Sequence, residues 1–374
     1  MRKILIIFIT FLLCSTFTIF VNAAENENSN YDIINLSFYA DIYVDNEFNE
    51  STIGWNVTHF NTIQKGIDNA TSGDTVYVFN GTYYENIIVD KLVNLTGEDK
   101  ETTIIDGGGI DDVVYITADN VIINGFTIQN SGINNSYYPN DAGIDIRSKN
   151  NIIFNNIISS NKNSGICLDS IYKSESDLYT KNNTIFNNII ENNNMDGILI
   201  FSSRYNEISN NIIRNNGQNG ILLFLSNHNI SDNIIINNII GINIKYSGNN
   251  FINNTISENN IGIHFQENSH NNYIIYNTIR KNEFGIFTTK PDDLIYKRLT
   301  NFIYFNNFID NDRNIYYWKN LEWFGNYWDQ WIGLKIKCLS FLPYHIRGSI
   351  LSNYDWHPAK EPNIPNNYNN FQIN

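Results

Sequence analysis

Asp145 and Arg147 alternate through Gly143-Ile144-Asp145-Ile146-Arg147, and Asp169 ends the matching run Gly165-Ile166-Cys167-Leu168-Asp169. Residues two apart on a strand share a face. If such strands stack, the three charged groups meet on two neighbouring coils, with Asp141 and Lys173 close by. Glycosidases need two carboxylates about 5–10 Å apart facing one cleft. Lyases need a base to take a proton and a cation to neutralise a uronate. Asp145, Asp169 and Arg147 are therefore the catalytic candidates, against the alternative of a solvated charge cluster. Further along the same face the equivalent residues are Leu199, Phe201, Leu222 and Phe224. This apolar stripe is a candidate glycan- or partner-binding surface, unless the insertion Ser170–Lys181 folds over it. Copper prefers His, Met and Cys. The six His are scattered, and Met195, Cys167 and Cys338 are far apart in sequence. His228 replaces an Asn of the repeat and reads as a rung of it. No residue is assigned to a metal.

These positions follow from a repeat. The pattern Asn-x-Ile-x-x-Asn-x-Ile-x-x-Asn fits Asn151/Ile153/Asn156/Ile158/Asn161 and recurs six more times, ending at Asn301/Ile303/Asn306/Phe308/Asn311. The central Asn advances by 32, 23, 22, 21, 23 and 29 residues, so the unit is about 22 residues. Each unit runs on into Gly-Ile, from Gly143-Ile144 to Gly285-Ile286. Apolar residues at period two mean strands. Short strands at this repeat length, with no helix between them, mean a parallel β-solenoid. Ile stacks on Ile in the core about 4.8 Å apart, and Asn on Asn forms amide ladders that satisfy the corners. The glycine is expected at a corner with positive φ, and Asn314 takes its place in the last unit.

A solenoid must cover its ends. Ile63, Ile67 and Ala70 have the spacing of a short amphipathic helix, expected within 60–72, over the first coil. Trp318, Trp323, Trp328 and Trp331 crowd together where the repeat stops, an aromatic C-cap over 318–358. Residues 1–23 read as a signal peptide: Arg2 and Lys3, an apolar run, then Val21-Asn22-Ala23. A retained anchor is the alternative. There is no second apolar run, so no multispan insertion is expected. Cleavage makes the formal charge of −14 two units more negative. Such a surface repels nucleic acid and anionic lipid, and makes an anionic polysaccharide a poor ligand unless a cation bridges. Cys167 and Cys338 do not amount to a disulfide framework.

Residues 60–109, FNTIQKGIDNATSGDTVYVFNGTYYENIIVDKLVNLTGEDKETTIIDGGG, resemble the N-terminal part of secreted right-handed parallel β-helix proteins of the pectin-lyase-like superfamily, in the NosD-like group. GNYWDQW (325–331) and LPYHIRGSILSNYDWHP (342–358) are similar to that group's C-terminal segment. The resemblance covers about residues 42–358. The linker Ile332–Cys338 departs from it, lacking the acids expected there. The Asn-Thr-Asp, Gly-His-Gly and Arg-Ile-Lys motifs of polygalacturonases are absent.

The expected architecture is all-β: a right-handed parallel β-helix over 42–358, with a polar tail at 359–374. The expected role is a secreted or cell-envelope protein, monomeric and non-catalytic, structural or carbohydrate-binding, whose partner is a polysaccharide or an envelope protein. The alternatives are a polysaccharide lyase or hydrolase and, through the resemblance alone, copper handling. No cofactor is expected; calcium and copper have no residues that support them.

Overall fold

The computed structural model describes residues 41–133, 141–170, 180–246, 248–266, 269–289, 300–316, 321–330, 344–345, 354–355 and 357–364. It also describes the backbone of three short antiparallel strands, Ile7–Thr10, Phe17–Val21 and Ile33–Leu36. Among described residues no helix is long and apolar enough to cross a membrane. The insertion at 171–179, Trp318, Trp331, Lys173, Cys338 and most of 342–358 lie outside the described residues.

The chain winds as a right-handed parallel β-helix of three sheets. One coil runs Ile152–Phe154, Ile157–Ser159 and Ser164–Asp169. The corresponding strands of successive coils pair in parallel, giving a first sheet of 13 strands, a second of 11 and a third of 10. Inward Ile residues stack without offset: Ile153 pairs with Ile185, and Ile185 with Ile208. They belong to one continuous core that closes on Trp323 and Trp328, with Trp328 stacked on Phe308 at 4.3 Å.

Each coil turns three corners, and a column of amides runs down each. In the middle column Asn188 donates from its backbone N and from Nδ2 to Asn211 Oδ1, at 3.0 and 3.1 Å. Asn211 donates in the same way to Asn233, and Asn233 to Asn254. All these donors point toward the C-terminus, so each bond polarises the next. The column ends on a carboxylate. Asp355 Oδ2 accepts from Asn326 N, Asn326 Nδ2 and Trp328 Nε1. His228 is a rung of another column, its Nδ1 accepting from Asn206 N at 3.1 Å.

The conformational freedom expected of the glycines is needed instead one residue before most rungs. Asn155, Asn187 and Asn210 precede Asn156, Asn188 and Asn211 with φ of 53°, 55° and 56°. This left-handed conformation suits Asn. The Gly-Ile glycines are not in it. They are required because a Cβ on Gly197 would lie 2.7 Å from the carbonyl oxygen of Gly220 in the next coil. Asn314 can stand at the equivalent position because its strand, Arg313–Tyr316, is the last of the third sheet.

The helix Ile63–Asn69 covers the first coil with Ile63, Gly66 and Ile67 buried. Glu85 accepts from Ile63 N and Gln64 N. The Gln64 amide satisfies both N and O of Ile88 on the edge strand Ile87–Val89. Two polar side chains thus close an edge that would otherwise pair with another chain.

Candidate functional site

The third sheet gathers the ionisable groups. Tyr115, Asp145, Cys167, Leu199, Leu222, Asn243, His264 and Phe287 occupy one outward column. Asp169, Phe201, Phe224 and Lys245 follow in a second, to which Arg147 also belongs. Stacking brings the three catalytic candidates together. Arg147 donates from Nε and NH2 to Asp145 Oδ2 at 2.9 and 2.7 Å, and its NH1 lies 2.8 Å from Asp169 Oδ2. The expectation of a solvated cluster is overturned, because all three are buried. Asp145 Oδ1 has no hydrogen-bond partner. One guanidinium thus bridges two carboxylates from neighbouring coils.

A further acid and a phenol belong to the same place. Asp112 accepts from Ala142 N at 2.6 Å and is half-buried. Burial, reinforced by the Asp145 charge, pushes its carboxyl up to about 8. Asp145 is raised by burial against the opposing pull of Arg147. Burial, then the Asp145 charge, raise Tyr115 and Cys167 as well. Asp112 and Tyr115 carry no Gly-Ile signature. Extending the Asp145 column back by one strand reaches Tyr115, whereas Asp112 lies outside that column, opposite Ala142.

The apolar stripe divides. Leu199 is 3% exposed, shut against Ala142 and Cys167 with Leu222 packed on it. Phe201, Leu222 and Phe224 are half-buried. Phe201 and Phe224 stack at 4.4 Å and 11°, so one face of each ring meets the other. Tyr246 stands at 74° to Phe224, and Lys245 Nζ lies 5.6 Å from the Phe224 ring centre. Beside them Leu225 and Tyr205 are exposed.

A family model described as periplasmic copper-binding protein (NosD) matches residues 67–229 and 169–333. The chain belongs to the NosD family. Among solved structures, the chain superposes on the pectate lyase Pel9A with a TM-score of 0.61 at 14% identity, covering 86% of this chain and 92% of that one. An alginate lyase from Paenibacillus sp. str. FPU-7 gives 0.51 at 14%, covering 70% and 94%. XylC in complex with xylose gives 0.51 at 13%, covering 76% and 68%. At these identities the likeness is one of fold. No curated protein matches.

The described residues do not fit copper. No group of three or more His, Cys, Asp or Glu among them could hold a metal ion. His228 is occupied as a rung, His264 Nε2 meets Thr289 Oγ1, and Met195 Sδ accepts from Gln218. Cys167 is buried, and burial keeps its thiol protonated.

Proposed function

We propose that this chain is an exported envelope protein that binds a linear polysaccharide along the outer face of its third sheet. What carries the reading is the half-exposed set Phe201, Phe224, Lys245 and Tyr246, held in register on a flat parallel sheet. Successive coils offer like groups at a fixed rise, which suits an extended polymer better than a small molecule. Apolar ring edges with a nearby ammonium can meet both the C–H faces and the hydroxyls of sugars. The family's periplasmic description and the polysaccharide lyases sharing the fold support an envelope glycan as ligand. Affinity electrophoresis through gels cast with neutral and acidic polysaccharides tests it. Retardation by one glycan, lost in Phe201→Ala/Phe224→Ala, is expected. Unchanged mobility in every gel would leave a structural role.

A second reading, polysaccharide cleavage, is favoured by one observation. Asp112 and Asp145 are acids whose affinity for protons is raised by burial, beside Arg147 and Tyr115, the pattern of an acid–base pair. Asp112 and Tyr115 are the members a glycan would meet, since Asp145 and Asp169 are enclosed. New reducing ends or unsaturated products, absent in Asp112→Asn, would establish it.

A further inference from the structure

On the outer face of the third sheet, two polar residues interrupt an apolar column. Leu199 and Leu222 are followed by Asn243 and His264 on the next two coils, and then by Phe287. Asn243 is 5% exposed and His264 is half-buried. What Asn243 presents is fixed by its neighbours. Asp196 Oδ1 accepts from Asn219 N at 3.2 Å and from Asn219 Nδ2 at 2.6 Å. A backbone N–H can only donate, so that carboxylate oxygen is an acceptor and Asn219 turns its NH2 toward it. The Asn219 oxygen is left to accept from Asn243 Nδ2, at 3.0 Å. Asn243 Oδ1 is what remains, buried and without a donor among the described residues. On the next coil His264 Nε2 meets Thr289 Oγ1 at 2.8 Å, while Nδ1 is buried and likewise unpartnered. Burial lowers the His264 imidazole to about 4, so the ring is neutral near pH 7. A buried polar atom without a partner gives up its bond to water for nothing. Leu or Phe, which the same column uses on either side, would avoid that loss. Two such atoms on adjacent coils, with backbones about 4.8 Å apart, are explained by a group supplied from outside the fold.

The chemistry of that group follows. Asn243 Oδ1 needs a donor, which a carboxylate, sulfate or phosphate lacks. When Thr289 Oγ1 donates to Nε2, His264 Nδ1–H is itself a donor. A single hydroxyl can then accept from Nδ1 and donate to Asn243 Oδ1. Aromatic pairs flank the site on the same face. Phe201 stacks on Phe224 on one side, and Phe287 stacks on Tyr316 at 4.9 Å and 13° on the other, in the neighbouring column. Phe287 also stands edge-on to His264, at 5.2 Å and 80°. Phe224 and Phe287 are three coils apart, about 14 Å. We propose that Asn243 and His264 form a hydroxyl-reading subsite for a neutral sugar unit, one hydroxyl donating to Asn243 Oδ1 and accepting from His264 Nδ1, with the flanking units against Phe224 and Phe287. This rests on the glycan-binding reading and names the ligand as uncharged where it crosses these two coils.

The test is calorimetric titration of the full chain with neutral gluco-, manno- and xylo-hexasaccharides, each also in its per-O-methylated form, which keeps the acceptors and loses every donor. At least one free-hydroxyl form should bind, with an affinity insensitive to salt. Asn243→Leu and His264→Phe should each weaken it about tenfold, the worth of one well-placed hydrogen bond. The methylated form should bind at least about tenfold more weakly, and equally to parent and variants. Asn243→Leu also strips Asn219 Oδ1 of its donor, so His264→Phe is the cleaner variant. Its melting temperature should be unchanged or higher, because it removes an unpaired ring nitrogen. Free-hydroxyl ligands bound equally by the parent and His264→Phe, but lost in Phe201→Ala/Phe224→Ala, would overturn the subsite and leave glycan binding intact. Ordered water alone would then answer the two atoms. A methylated ligand binding as tightly as the free one would overturn it too. Failure of all three hexasaccharides would also overturn the subsite, and if no gel retards the protein the glycan reading falls with it.

Discussion

The corner columns and the outer face of the third sheet are made by the same operation, the placing of equivalent residues one coil apart. In the corners those residues are amides, each with a donor and an acceptor. Stacking satisfies both ends of every rung, from Asn156 through Asn326 to the closing carboxylate of Asp355. On the outer face the same operation stacks charges. Asp145 and Asp169 come within reach of one guanidinium, and Asp112 is pushed toward protonation by burial and then by the Asp145 charge. A repeat therefore amplifies whatever chemistry it stacks. Neutral amides gain from repetition, whereas like charges lose unless something opposite answers them.

Removing the opposite charge breaks this comparison most sharply. Arg147→Met removes the guanidinium that reaches both buried carboxylates and should cost about 3–5 kcal/mol near neutral pH. Denaturant melts should show the loss shrinking toward pH 4 as Asp145, which burial raises to about 6, takes up its proton. Equal losses at both pH values would mean that Arg147 acts by packing alone. Interrupting a corner costs somewhat less. Asn211→Ala removes the acceptor of Asn188 N and Nδ2, and should destabilise by about 3 kcal/mol, with little pH dependence. The last prediction bears on the electrostatic side alone. Because Asp112 binds its proton more tightly folded than unfolded, stability should fall as pH rises from about 4 to about 8 and then level off. Asp112→Asn keeps the acceptor for Ala142 N and should flatten that slope, leaving the variant more stable than the parent above pH 8. A parent whose stability rises across this window would refute the assignment.

Much of the fold was legible because the repeat is written in residue types. The Ile and Asn columns and the Gly-Ile strands were readable from spacing alone, and so was the helix near Ile63. The role of the glycines was misread. Sequence shows that a glycine is required at 197 or 220, but not whether φ or a neighbouring carbonyl requires it. The candidate site was legible only in part. Asp145, Arg147 and Asp169 were found by register, but Asp112 and Tyr115 sit on a coil without the repeat signature. The burial of Leu199 was likewise unreadable, because spacing gives a side chain's direction and not what lies over it.

By itself, then, the sequence determined a coil of about 22 residues, which side of each strand faces in, and which residues share a column. Those are local consequences of strand and corner periodicity. Only the tertiary structure decided which outward residues are enclosed and which carboxylates share a guanidinium. Solvation and Coulomb interactions depend on distances between coils and on what covers them, and no pattern along one chain encodes those.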